Sequence, residues 1–342
     1  MPGAAIGVLR DGVATTAYHG VADVSAGEPV TAETLFSVGS LTKSMVATVI
    51  AGLAEAGRLS LDDPVSAHVP ELRGRGWAQR ASLRDLLANR SGLPLRAGLE
   101  FDFAGRKDED DGALSRLATD AGGGPAVRFW SYTNVGWCLL GRVIETATGS
   151  AWEDAMRGHL ARAGLRETTF ASEALRKPRA SGHEVTAEGA VPVEPLRARS
   201  YGPAGANAVS TVTDLLRFAA LHLDDPTLAV LRAVHGQVSI HAWLDSWCLG
   251  WARFDWAGGP VWGWDGVIRG ERSVLRILPE HRAAVVLMTN AGTGRATYRS
   301  LFAELMESAF EITVPPLNLD ASPGAAGDLS RFAVSTHGPT GG

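Results

Sequence analysis

Two cysteines in 342 residues cannot build a disulfide framework. Cys138 and Cys248 each follow a tryptophan in an apolar stretch, the setting of a buried free thiol. Lysine is nearly as scarce: Lys43, Lys107 and Lys177 are the only three among 32 basic residues. No uninterrupted run of about 18 apolar residues occurs, which excludes a membrane-spanning helix. The first twenty residues contain Arg10 and Asp11 and lack the apolar centre of a leader peptide, so a cytoplasmic location is expected. An excess of positive charge is missing too. With a formal net charge of −5 and a pI near 6.0, neither nucleic acid nor an anionic membrane surface is an expected partner.

Several catalytic signatures are absent. There is no G-x-S-x-G: Ser40 has Val38 and Thr42 at the glycine positions, so a nucleophile elbow of the α/β-hydrolase kind is not supported. None of the nine histidines stands in H-E-x-x-H spacing, and His235 with His241 reads as incidental rather than as a metal pair. Gly122-Gly123-Gly124 has no Lys-Ser/Thr after it, so no phosphate loop is implied. Neither a metal nor a cofactor is expected.

What remains is an ordinary globular composition, 45% hydrophobic and 20% charged with 40 Gly and 17 Pro, long enough for a sizeable core. Residues 4–9 and 13–18 flank Asp11-Gly12 and read as a β-hairpin. A helix is expected from about 40 to 56, ending at Gly57, and another from Ser82 to about Asn89. Residues 97–128 read as surface loop or short helix. Helices follow at Trp137 to Ala147 and Ala151 to Leu160, then an aperiodic connection over 172–206 and a helix from Thr213 to Leu223. Three β-rich runs come next, Cys248 to Trp256, Arg272 to Leu278 and Ala283 to Met288, the last two joined by a hairpin turn at 279–282. A helix from Tyr298 to Phe310 closes the fold, and a Gly/Pro-rich tail over 316–342 is expected to be disordered. The pattern predicts an α+β catalytic domain over 1–315. One lobe comprises about 1–60 and 245–315, a helical lobe about 61–244 is inserted, and a cleft lies where they meet.

The most informative stretch is Ser40-Leu41-Thr42-Lys43. The residues after it, Met45 to Ala54, are apolar on every side of a helical wheel, which is the mark of a helix buried in a core. A lysine at the start of such a helix needs a reason, because an unpaired buried ammonium costs several kcal/mol. Positions i and i+3 share a helix face, so the Lys43 amine can reach the Ser40 hydroxyl. A desolvated lysine beside a serine is a means of activating a weak nucleophile, and helix N-terminal N–H groups point where an oxyanion could form. The alternative is a serine that only caps the helix, with Lys43 exposed in the first turn.

A second signal is Ser131-Tyr132-Thr133-Asn134, read as a turn before a helix, from which a phenol could carry a proton to a leaving group. A third is Trp262-Gly263-Trp264-Asp265-Gly266-Val267-Ile268, glycine-rich for a strand region, where Gly266 lets a substrate or another chain approach the backbone. By themselves the turn and the two tryptophans read as structural. The tryptophans at 243, 247, 251 and 256 read as core, with one or two lining an acyl pocket.

Taken in order, S-x-x-K, Y-x-N and a Gly-rich strand near the C-terminus resemble the serine β-lactamase and penicillin-binding-protein superfamily, most closely its class C branch. The resemblance extends over about residues 2 to 312 and includes Leu83-Arg84-Asp85-Leu86-Leu87 with Ser91-Gly92-Leu93-Pro94, and Ser210-Thr211-Val212-Thr213-Asp214-Leu215. It implies a β-lactamase/transpeptidase-like fold, an antiparallel sheet flanked by helices. It further implies Ser40 as the acylated nucleophile, Lys43 as its activator, and Tyr132 as partner in base work and proton donor to the leaving group. Asn134 would hold the acyl-side amide and steady Lys43. The backbone N–H groups of Ser40 and Val267, the latter after Gly266 on an edge strand, would form the oxyanion hole.

One position departs from the commonest pattern. Trp264 stands where β-lactamases and D-alanyl peptidases carry a Lys or His that binds the substrate carboxylate. Tryptophan there resembles the β-lactamase-like carboxylesterases (family VIII) and related acyltransferases of natural-product biosynthesis. Arg269 or Arg272 could supply a substitute cation. The expected function is therefore a cofactor-independent serine hydrolase or acyltransferase. Its partners would be a small-molecule acyl donor and either water or an amine or alcohol acceptor. The rivals are a D-stereospecific peptidase or β-lactamase, and a catalytically silent binding protein on the same fold.

Overall fold

The computed structural model describes residues 1–93, 113–120, 130–170, 178–193, 198–237, 245–292 and 298–315. The hairpin forms as expected, from β1 (Gly3–Arg10) and β2 (Val13–Gly20). β3 (Phe36–Ser37) pairs with β6 (Val209–Ser210), and β4 (Gly182–Thr186) with β5 (Gly189–Val193). The remaining strands are β7 (Gly236–Gln237), β8 (Ser246–Trp247), β9 (Ala252–Trp256), β10 (Gly259–Ile268), β11 (Glu271–Leu278) and β12 (Ala283–Thr289). They complete an antiparallel sheet of eight strands in the order β2-β1-β12-β11-β10-β9-β8-β7. The central position of β12 explains its composition. All seven of its residues are buried, so it reads as a continuous apolar run rather than an alternating one.

The helices are α1 (Thr42–Glu55), α2 (Val65–His68), α3 (Gly76–Arg80), α4 (Leu83–Leu87), α5 (Ala113–Asp120), α6 (Asn134–Thr148), α7 (Trp152–Arg162), α8 (Val212–Asp224) and α9 (Ala303–Phe310). None among the described residues is long and apolar enough to cross a membrane. α1 is buried without a break from Thr42 to Ala51, as an all-round apolar helix must be. Its polar residues are satisfied internally. Ser44 donates to Gly250 O at 2.7 Å, and Thr48 Oγ1 lies 2.9 Å from Nε2 of buried His222. Burial holds His222 neutral, its pKa lowered to about 3. Local signals set the helix ends. A reciprocal capping box between Ser82 and Asp85 opens α4, and Gly149, at φ 73°, ends α6.

Four expectations change. Within 172–206, the described residues hold the β4–β5 hairpin and a 3₁₀ turn, Arg199–Ala204, instead of an aperiodic connection. That hairpin carries no periodic apolar face of its own. It is anchored by His183, whose Nδ1 donates to Asn290 O at 2.9 Å while Nε2 accepts Val24 N–H at 3.3 Å. α8 lies inside the stretch assigned to the helical lobe, yet packs across β1, β11 and β12 and so belongs to the sheet lobe. β10 is not an edge strand, because β11 and β9 flank it. β9 pairs only with Gly259 to Gly263, however, leaving Trp264 to Ile268 without a strand partner on that side. Asn134 is the first residue of α6 rather than part of the preceding turn. The tail 316–342, the boundary of the domain against it, and Trp243 lie outside the described residues.

Candidate active site

Ser40 occupies a 3₁₀ turn, Gly39–Leu41, between β3 and α1, and is half-buried. Lys43 is fully buried one turn on, and its Nζ lies 3.1 Å from Ser40 Oγ. The same amine donates to Ala204 O, the last residue of the 199–204 turn, at 2.5 Å. These bonds are what permit a lysine in this core. Tyr132, half-buried just ahead of α6, places its ring 5.1 Å below Nζ. Asn134 is half-buried nearby but is not a hydrogen-bond partner of Lys43, whose bonds go to Ser40 and Ala204.

Trp264, expected to line the substrate site in place of a Lys or His, is turned inward. It is only 8% exposed, and its Nε1–H donates to the Tyr132 hydroxyl at 3.1 Å. Trp247 stands edge-on to both rings, 4.8 Å from Trp264 and 5.8 Å from Tyr132, and its own N–H is taken by Leu87 O. Of the tryptophans expected in the core, Trp247, Trp251 and Trp256 are there, and Trp247 also reaches the site.

The register of β10 and β11 aims the backbone. A two-residue turn closes at the pair Ile268↔Glu271, so 268, 266 and 264 hydrogen-bond to β11, and Val267 between them points its N–H the other way. A Cβ on Gly39 would lie 2.8 Å from Val267 N, which puts that N–H against the turn bearing Ser40. Glycine is required at three points here. A Cβ on Gly266 would come within 1.9 Å of Val38 O, and one on Gly205, at φ 122°, would meet Gly39 O at 2.3 Å. Gly266 was legible in the sequence. Gly39 and Gly205 were not, since only their φ angles and close neighbours mark them. Gly266→Ala should therefore separate β10 from the Ser40 turn at a cost of about 1–3 kcal/mol. Thermal unfolding checks it, and an unshifted Tm with full activity would refute the close approach.

The two candidate substitute cations are engaged elsewhere. Arg269 pairs with Glu184 at 2.8 Å, and Arg272 donates to Gly292 O at 2.9 Å. Cys138 and Cys248 are buried free thiols, as expected, each pushed up to about 12, chiefly by burial.

Residues 1–307 match the family described as Beta-lactamase. The chain belongs to that family. It is 33% identical over 340 residues to penicillin-binding protein 4 of Amycolatopsis lactamdurans, covering 92% of this chain and 87% of that one. Esterase EstB of Burkholderia gladioli is also 33% identical, but over 45% of this chain and 43% of its own length. The crystal structure of SurE superposes with a TM-score of 0.78 at 29% identity, covering 92% of this chain and 74% of that one. The fold is accordingly the β-lactamase/transpeptidase α+β fold that the motif order implied, and the chain is a serine hydrolase of this superfamily.

Proposed function

We propose that this protein is a serine acyl-transfer enzyme acting on esters, with amides or thioesters as further donors, through acylated Ser40. The contact that carries the reading is Lys43 Nζ to Ser40 Oγ at 3.1 Å. Its bond to Ala204 O holds the amine against the serine hydroxyl, within reach of the serine proton. Lys43 takes that proton as Oγ attacks the acyl carbon, and the oxyanion falls between the N–H groups of Ser40 and Val267. Each such donor is worth roughly 2.7–4 kcal/mol in comparable sites. Collapse expels the alkoxide, which is protonated through Tyr132 and Lys43. Water, or an amine or alcohol, then attacks the acyl-serine and gives its proton to the same pair, which returns a proton to Oγ as the Oγ–acyl bond breaks. Asn134, at the mouth of α6, would hold an acyl-side amide.

Ester preference follows from Trp264. An uncharged indole, with its N–H already given to Tyr132, offers a substrate carboxylate no ion pair. A charge-assisted hydrogen bond contributes about 1.5–3 kcal/mol, or roughly ten- to hundredfold in rate. Short p-nitrophenyl esters should be cleaved with higher kcat/KM than penicillins or D-Ala-D-Ala peptides on the same preparation. The likeness to penicillin-binding protein 4 favours the opposite reading, a D-stereospecific peptidase or β-lactamase. Efficient β-lactam hydrolysis would establish that one. Trp264→His should move the ratio toward carboxylate-bearing substrates. Trp264→Phe, which removes the donor to Tyr132, should lower kcat for both classes.

A further inference from the structure

β11 grips the segment that carries Ser40 with two side chains from one face. Glu271 and Ser273 are two residues apart, so both point the same way. Ser273 Oγ donates to Val38 O at 2.8 Å. Glu271, fully buried, accepts Ser37 N–H on Oε1 at 3.1 Å and the Ser37 hydroxyl on Oε2. Arg179 closes the cluster, donating to Ser37 Oγ at 2.9 Å and lying 3.5 Å from Glu271 Oε2. The cross-strand partners of Ser273 and Glu271 are Gly266 and Ile268, which bracket Val267. One strand therefore holds both halves of the oxyanion hole: the Ser40 turn through side chains, and Val267 through the backbone ladder.

We propose that Glu271 is a positioning residue for catalysis, setting the spacing between the Ser40 and Val267 N–H groups. This role rests on the reading of Ser40 as nucleophile. A carboxylate is suited to it because two donors of one residue and a guanidinium converge on its two oxygens. Burial pushes the carboxyl above its usual range, and Arg179 and Ser37 offset that only in part. Glutamine has the same shape, yet its amide would present N–H groups to a hydroxyl that Arg179 already engages as donor.

The test is labelling of Ser40 in Glu271→Gln by a fluorophosphonate, recording both the stoichiometry reached and the second-order rate constant. The expected result is full stoichiometry with a rate constant lowered about 10- to 100-fold, the loss typical of a misplaced reacting group. Ester kinetics should show kcat falling with KM little changed. A normal rate constant overturns the proposal, whether stoichiometry is full or reduced, since reduced stoichiometry alone reports unfolded protein. If Glu271→Gln yields no folded enzyme, Ser37→Ala and Arg179→Gln decide: slower labelling at full stoichiometry supports the role, and unchanged rates overturn it. Labelling of the wild-type protein at another serine would instead overturn the Ser40 assignment, and this role with it.

Discussion

Ser40→Ala should abolish fluorophosphonate labelling and lower ester turnover by several orders of magnitude. The expectation is this large because the hydroxyl is the only atom of the site that forms a bond to the substrate in the proposed route. Lys43 can move a proton and the backbone can bind an oxyanion, but with alanine at 40 both would act on water alone. The substitution removes one oxygen at a half-buried position and leaves α1 and the Ala204 contact intact, so stability should change little. Mass spectrometry of the labelled wild-type protein locates the adduct. An adduct on any other serine, or turnover that survives in Ser40→Ala, removes the assignment. A protein with no turnover and no labelling would be the silent binding protein.

Lys43→Ala and Tyr132→Phe should each reduce kcat by roughly 10²- to 10⁴-fold, the range of positioned acid–base groups. The double variant should be little worse than the poorer single one. The reason for this non-additivity is that the amine stands over the phenol ring at 5.1 Å, and in the proposed route both act on the same proton. Lys43→Ala carries a second effect. It leaves buried Ala204 O without its donor, which costs about 1–3 kcal/mol, so rates must be referred to the folded fraction. Tyr132→Phe spares that bond and instead removes the hydroxyl that accepts the Trp264 N–H. Fully additive losses would mean that the two residues do separate work. Wild-type rates in Tyr132→Phe would remove the tyrosine from the mechanism.

Legibility in the sequence followed the range of the interaction. Ser40 and Lys43 lie one helical turn apart, so their contact is dictated by helix period together with the apolar surroundings of α1. The β1–β2 hairpin, the Ser82 cap and the Gly149 stop are local in the same sense. The β4–β5 hairpin was not legible. Its register is held by His183, whose partners Val24 and Asn290 belong to distant segments. The start of α6 was missed because Asn134 is a weak helix former and Thr133 makes no side-chain cap.

The chain by itself determined the family, the α+β class and the order in which serine, lysine and tyrosine enter the site, because each is written in short-range pattern and residue type. The tertiary structure alone decided what the tryptophan at 264 does, where the Arg269 and Arg272 charges go, and that Glu271 and Ser273 hold the serine turn. Those outcomes depend on which strands become neighbours and in what register. Donors and acceptors more than a hundred residues apart in the chain, such as Trp264 and Tyr132 or Ser37 and Glu271, meet only once the sheet order and register are set.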